Sequence, residues 1–425
     1  MSLVSCQRTV DGGAEESPPE DLGFATEADR VLQTLRTAIA DIIASLPEHV
    51  AKPGDLQRTL RIDAKLSWKL LKVVNASGSL AAGPFVPGLG AMRTFLKAAR
   101  MTGIDEGLVR AATQATAQFE RLVANHAGNR TGFDSMVSSL AAGEDARQIT
   151  LQHCRAAFRA NAHIYGVQAR TQFKCMFAQP ASNPRMLDIA GLDGFLSLRQ
   201  LRPDAPLVVS RTYTTDDDGT VLDLRREPLD PTVDRTHGLD LLREFCTHPL
   251  PQFRAVETEP GTVCSVLISN GVGKQAAIDC VKGHVARAAV PRYRDAGNRL
   301  GANNAKVRVP CEVLLLDLLV HEDTFGRLAP LAFTCAQHLG EVTAPHSCEE
   351  WRRLGPSEPA AYLGKGPSVL YSSDYPRYAE LGRYVFERLG WDGNRFDVYR
   401  HRIEYPVLPS SVAMAFDLPA APGGC

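Results

Sequence analysis

Residues 311–323, CEVLLLDLLVHED, decide how the second half of this 425-residue chain folds. The run has the length of a strand, and in a strand alternate side chains share a face. Asp317, His321 and Asp323 then lie on one side, with Leu314, Leu316, Leu318 and Val320 on the other. An Asp inside so apolar a run needs a partner. Two readings stay open: a hydrogen-bonded structural Asp at a sheet edge, or the polar wall of a ligand pocket made by Asp317, His321 and Asp323.

Outward from this run the pattern remains that of strands. PLVVSRTY (206–213) and TVLDLRRE (220–227) flank the turn-forming TTDDDG and read as a β-hairpin with a longer loop. TVCSVLIS (262–269), KVRVP leading into the opening run, and FDVYRHRIEYPVLPSSVAMAFDL (396–418) supply more. DCVKGHVARAAV (279–290) and YAELGRYVFERLG (378–390) read as helices. Strands and helices do not alternate cleanly, so residues 204–425 are expected to form a mixed α/β domain with antiparallel strands.

Upstream the pattern is helical. TEADRVLQTLRTAIADIIASL (26–46) places Val31, Leu32, Leu35, Ile39, Ile42, Ile43 and Leu46 at helical spacing. Further helices are expected at about 55–75, 91–101 and 105–126, the last closed by Gly128-Asn129. Residues 144–178 read as one long helix, bent at Gly166. The expected organisation is an acidic disordered tail (1–24), a helical domain (25–140), a long helix with connecting helices (141–203) and the α/β domain, giving α+β overall. Residues 1–29 carry a net charge of −6, enough for the tail to dock on a basic surface.

The chemistry-bearing stretch of the N-terminal half is PGDLQRTLRIDAKLSWKLLKVVN (53–75). It reads as two short helices about a tight turn, Asp55 to Leu60 and Ala64 to Val74. On the second helix Leu66, Leu70, Val73 and Val74 gather on one side and Lys65, Trp68, Lys69 and Lys72 on the other. Residues 52–72 carry a net +4 within a chain of net charge −1, so any affinity for nucleic acid is local. In a DNA complex Lys65, Ser67 and Trp68 would lie nearest the bases, and Arg58, Lys69 and Lys72 nearest phosphate. The same lysines also suit a merely solvated helix face, and Trp68 suits packing against a neighbour.

LQRTLRIDAKLSWKLLKVVN resembles the helix-turn-helix class of bacterial transcription regulators over about twenty residues. The turn is written Leu60-Arg61-Ile62-Asp63, with Arg61 where that class commonly has glycine. The resemblance implies double-stranded DNA as partner, a C-terminal half that senses a small-molecule effector or mediates association, and homodimerisation onto two half-sites.

Other chemistry is thin. ISNGVGKQ (268–275) lacks the first glycine and the hydroxyl of a phosphate-binding loop and reads as a strand, a glycine turn and a helix opening near Lys274. The ten cysteines are scattered without CxxC spacing and read as buried thiols. His338, His346 and Cys348 match no metal-ligand spacing. No motif asks for a cofactor or nominates a nucleophile, so a non-catalytic protein is the expectation. An enzyme or small-molecule binder with its site near Asp317 and His321 is the alternative, and an assembly protein without chemistry is a third. No apolar run approaches the roughly 20 residues that span a bilayer, and the expected location is the cytoplasm.

Overall fold

In the computed structural model the described residues are 22–140, 144–213, 226–232, 239–259, 262–268, 271–295, 299–337 and 348–422. The chain divides into two compact units, Met1–Gln152 and His153–Cys425. The architecture is α+β, helical first and mixed α/β second. Among the described residues no helix is long and apolar enough to cross a membrane. The expected tail at 1–24 lies almost wholly outside the described residues.

The first unit is built from α1 (Leu22–Ala44), α2 (Pro53–Leu60), α3 (Ala64–Val74), α4 (Ser79–Ala82), α5 (Leu89–Met101), α6 (Glu106–Leu122) and α7 (Arg130–Leu140). The apolar stripe of α1 is buried from Ala28 to Ile42 and packs along α6. Asp105 caps α6 by accepting from the amides of Gly107 and Leu108, which satisfies donors that a helix start leaves over.

The second unit departs from the sequence reading at its entrance. Helix α8 (Glu144–Tyr165) stops at Gly166, whose φ is +69°, and residues Val167–Pro180 form strand β1 instead of continuing the helix. Val167, Ala169, Thr171, Phe173, Cys175 and Phe177 are all buried, a period of two that outweighs the helical spacing of the larger apolar residues. Residues Met186–Gln200 form β2, a hairpin partner of β1. Pro203 is therefore no domain border, since β1 and β2 belong to the sheet that holds the downstream strands.

Those strands are β3 (Val208–Tyr213), β4 (Arg226–Pro228), β5 (Phe253–Glu259), β6 (Thr262–Leu267), β7 (Ile278–Pro291), β8 (Leu300–Val307) and β9 (Cys311–His321). After the short α9 (Glu322–Phe325) come β10 (Leu331–Ala336), β11 (Glu358–Pro359), β12 (Ala361–Lys365), α10 (Tyr378–Leu389), β13 (Phe396–Glu404) and β14 (Ser410–Asp417). Among the described residues they form a seven-stranded sheet ordered β12-β13-β9-β1-β2-β7-β4, a four-stranded sheet β11-β10-β14-β8 and a three-stranded sheet β3-β6-β5. The segment 279–290, expected as a helix, is most of β7. Val281, Gly283 and Val285 are buried while Lys282 and His284 alternate with them. Residues 214–225 of the expected hairpin lie outside the described residues; β3 pairs with β6 and β4 with β7.

Strand β9 explains its own composition. It lies inside the seven-stranded sheet, parallel to β1 and antiparallel to β13. Val313, Leu315 and Leu319 pack with Tyr378, Leu381 and Val385 of α10. Leu314, Leu316, Leu318 and Val320 pack with Val307, Val412 and Met414 of the four-stranded sheet. A strand covered on both faces reads as a continuous apolar run. Cys335 and Cys348 are joined in a disulfide, which corrects the reading of all ten cysteines as thiols, while Cys175, Cys246, Cys264, Cys280 and Cys311 are buried and free.

Candidate functional site

The two-helix element of the first unit begins with Pro53 at the first turn of α2, where a missing N–H costs nothing. Asp55 accepts from the amides of Lys52 at 3.1 Å and Ala51 at 3.3 Å. At the other end Arg61, where the helix-turn-helix class commonly has glycine, takes the left-handed conformation, φ 55° and ψ 40°. Three residues, Arg61 to Asp63, connect α2 to α3. Asp63 then caps α3, its Oδ1 accepting from the Leu66 amide at 2.9 Å.

Burial sorts the faces of α3. Leu66, Ser67, Leu70, Leu71 and Val73 are buried, and α3 packs against α1 and α4. Lys65, Trp68 and Lys72 are exposed and Lys69 is half-buried. Ser67 corrects the sequence reading: it is fully buried and its hydroxyl donates to the Asp63 carbonyl at 3.0 Å. Two residues from both Lys65 and Lys69, it lies about 200° round the helix from each and is turned away from the face they form. Trp68 keeps 43% of its surface exposed while its ring meets Phe85 edge-on at 5.8 Å. The Lys72 ammonium lies 5.6 Å from the Phe85 ring centre.

The lysine face has a local field. Burial lowers the Lys69 pKa from its ordinary value, with Arg130 and Lys65 adding to the shift and Asp134 opposing it. Arg130 is held by Asp134 at 2.8 Å and by the Gly83 carbonyl at 2.7 Å. Arg58 is largely exposed and pairs with Asp55 at 2.7 Å. An eleven-residue helix is about 16 Å long, a size that enters a DNA major groove.

In the second unit the structure keeps His321 beside Asp323, with Nδ1 3.9 Å from the carboxylate, and pairs Asp317 elsewhere. Asp317 is fully buried in an interior strand, not at an edge. Its carboxylate accepts from Nε and Nη2 of Arg400, both at 2.8 Å. Arg400 also donates to the carbonyls of Tyr371 and Leu370. His321 caps α9, its Nδ1 accepting from the Asp323 amide at 3.2 Å. The Asp323 carboxylate faces Arg395 at 2.6 Å on the surface. None of the three lines the cleft described below. His338 and His346 lie outside those residues. The glycine turn of ISNGVGKQ leads to a single 3-10 turn, Lys274–Ala276, and not to a helix.

What the sequence reading missed lies on the opposite face of β1. A cleft of about 490 Å³ opens among β1, β2, β7, β3 and β8, lined by Lys174, Asp193, Lys282 and His284 with Arg226 and Lys306. In register, Lys174 stands beside Asp193, and Asp193 beside Lys282. The signal was present only as a basic stretch, residues 147–202, in which Lys174 and Asp193 are ordinary members. No protein-family model, curated protein or solved structure matches this chain.

Proposed function

We propose that the chain is a DNA-binding regulator whose α3 enters the major groove, with the second unit serving as a sensor of a small ligand or as an association module. The observation that carries this reading is the turn itself. Arg61 adopts the left-handed conformation between α2 and an Asp63-capped α3, and the outward face of that helix presents Lys65, Trp68, Lys69 and Lys72. In this reading Lys65 and Trp68 meet base edges, and Lys69, Lys72 and Arg58 meet phosphates. The reading carries a cytoplasmic location with it, and dimerisation onto two half-sites is its natural extension.

The test is fluorescence anisotropy of the full chain against random-sequence duplex DNA at several salt concentrations. Wild type is expected to bind at low salt and to weaken steeply as salt rises. A Lys65→Glu, Lys69→Glu, Lys72→Glu variant that keeps its helical circular dichroism is expected to lose binding. Single Lys→Ala variants are expected to reduce the salt slope by about 1 each where the side chain meets phosphate. A folded wild type that ignores DNA at low salt ends the reading.

A further inference from the structure

We propose that the cleft of the second unit is a binding site for a small organic anion, whose carboxylate or phosphate group sits against Lys174 on the side of Arg226 and Lys306, away from Asp193, with its body against Met176 and Ile189. The inference does not rest on DNA binding; it concerns different residues in a different unit.

Size comes first. The cleft volume of about 490 Å³ falls in the range of small-molecule sites, about 300–1,000 Å³. Charge comes second. Lys174, Asp193 and Lys282 form one cross-strand row on β1, β2 and β7. Lys282 meets Asp193 at 3.0 Å, and among the described residues no ion pair closes on Lys174. Asp193 thus serves two ammonium groups within the row, and Asp240 is the other carboxylate of the cleft lining, which also holds Arg226 and Lys306. Arg226 and Lys306 lie close enough to repel Lys174 further. An anion placed against Lys174, beside Arg226 and Lys306, relieves that repulsion, and relieves it strongly where water is partly excluded.

Access comes third. Asp193 is ringed by protein yet 43% of its side chain is reachable by water, while Lys282 keeps only 12%. That combination belongs to the floor of an open cleft, not to a closed core. Burial lowers the Lys174 pKa, with Asp193 opposing and Lys282, Arg226 and Lys306 reinforcing the shift. One row along, His284 stands opposite Gly191. A Cβ on that glycine would lie 2.9 Å from the imidazole, so the glycine leaves the ring room to lie across β2. Burial and the nearby Arg226 bring the His284 pKa to about 4, which leaves a neutral imidazole able to donate one N–H to a ligand oxygen. Met176 and Ile189 supply apolar wall beside these polar groups.

The experiment is isothermal titration calorimetry of the full chain with inorganic phosphate and with citrate, against chloride at equal ionic strength. Saturable binding of at least one of the two, absent with chloride, is expected. Lys174→Met is expected to weaken it at least tenfold, whereas Lys365→Met, outside the cleft, and the triple α3 variant leave it unchanged. Should Lys174→Met not fold, hydrogen exchange of wild type with the bound anion decides: protection in peptides covering 167–200 and 278–291 supports the site, and protection elsewhere overturns it. No saturable binding of either anion up to tens of millimolar also overturns it. An intact anion site in a protein that fails to bind DNA would leave this inference standing and remove only the regulator reading.

Discussion

Two charged rows cross the same sheet one residue apart and do opposite things. In the first, Cys175, Asp317 and Arg400 stand side by side on β1, β9 and β13. In the second, Lys174, Asp193 and Lys282 stand side by side on β1, β2 and β7. Because side chains alternate along β1, the first row faces the core under α10 and the second faces the cleft. The Asp317–Arg400 pair is one charge against one, with side-chain exposures of 0% and 10%. The guanidinium donors left over go to Tyr371 and Leu370, and the cation lies 5.3 Å from the Tyr378 ring centre. The second row is two cations against one carboxylate, and that carboxylate's side chain is 43% exposed. A charge amid apolar sequence is therefore not what marks a site; an unbalanced and reachable set of charges is.

The largest effect expected from this contrast comes from opening the closed row. Asp317→Asn leaves the Arg400 charge buried without a counter-charge and is expected to cost about 3–5 kcal/mol of stability. Asp317→Leu with Arg400→Met removes both charges together and is expected to cost much less than the two single changes summed. Urea unfolding followed by circular dichroism checks both. If Asp317→Asn unfolds like wild type, the first row is not a strut and the comparison fails at its firmer end.

How much of this was legible follows the sequence distance over which each feature is made. The stripe of α1, the lysine face of α3 and the strand nature of CEVLLLDLLVHED are local patterns, and each was readable from neighbouring residues. Ser67 was readable too, since the same helical angle that gathers the lysines turns it toward the core. The partner of Asp317 lies 83 residues away, and sequence periodicity says nothing about pairing at that distance. Lys174, Asp193 and Lys282 are likewise joined only by strand register. β1 and β7 were hidden for a local reason: Phe173, Met176 and Phe177 sit at helical spacing, and 279–290 is rich in Ala and helix-neutral residues. Tertiary pairing overrode both.

The pH dependence of the open row sharpens the contrast. His284 has its pKa lowered from 6.5 to about 4 by burial and Arg226, with Lys174 and Lys282 adding and Asp193 opposing. A folded state that resists protonation binds fewer protons than the unfolded chain between those two values. Stability is therefore full above the ordinary histidine range, falls as pH drops toward 4, and falls no further from this group below it. At about 1.4 kcal/mol per pH unit the whole loss is at most about 3.5 kcal/mol. His284→Gln is expected to flatten the difference between urea midpoints at neutral and mildly acidic pH. An unchanged slope in that variant would show that the imidazole is as free to charge in the folded state as in the unfolded one.

The smallest effect is the most discriminating. Lys174→Met and Arg400→Met make the same chemical change on opposite faces of one sheet. At Arg400 it strands the buried Asp317 carboxylate and is expected to cost on the order of 3 kcal/mol or more. At Lys174 it removes a desolvated cation that repels Lys282, Arg226 and Lys306, leaves Asp193 still paired with Lys282, and puts an apolar chain beside Met176. The expected change is between zero and about 1 kcal/mol of added stability. Urea unfolding of the two variants side by side measures the difference directly. A Lys174→Met variant as destabilised as Arg400→Met would mean that the Lys174 ammonium is held as firmly by its own fold as Arg400 is, and the second row would then be a strut like the first.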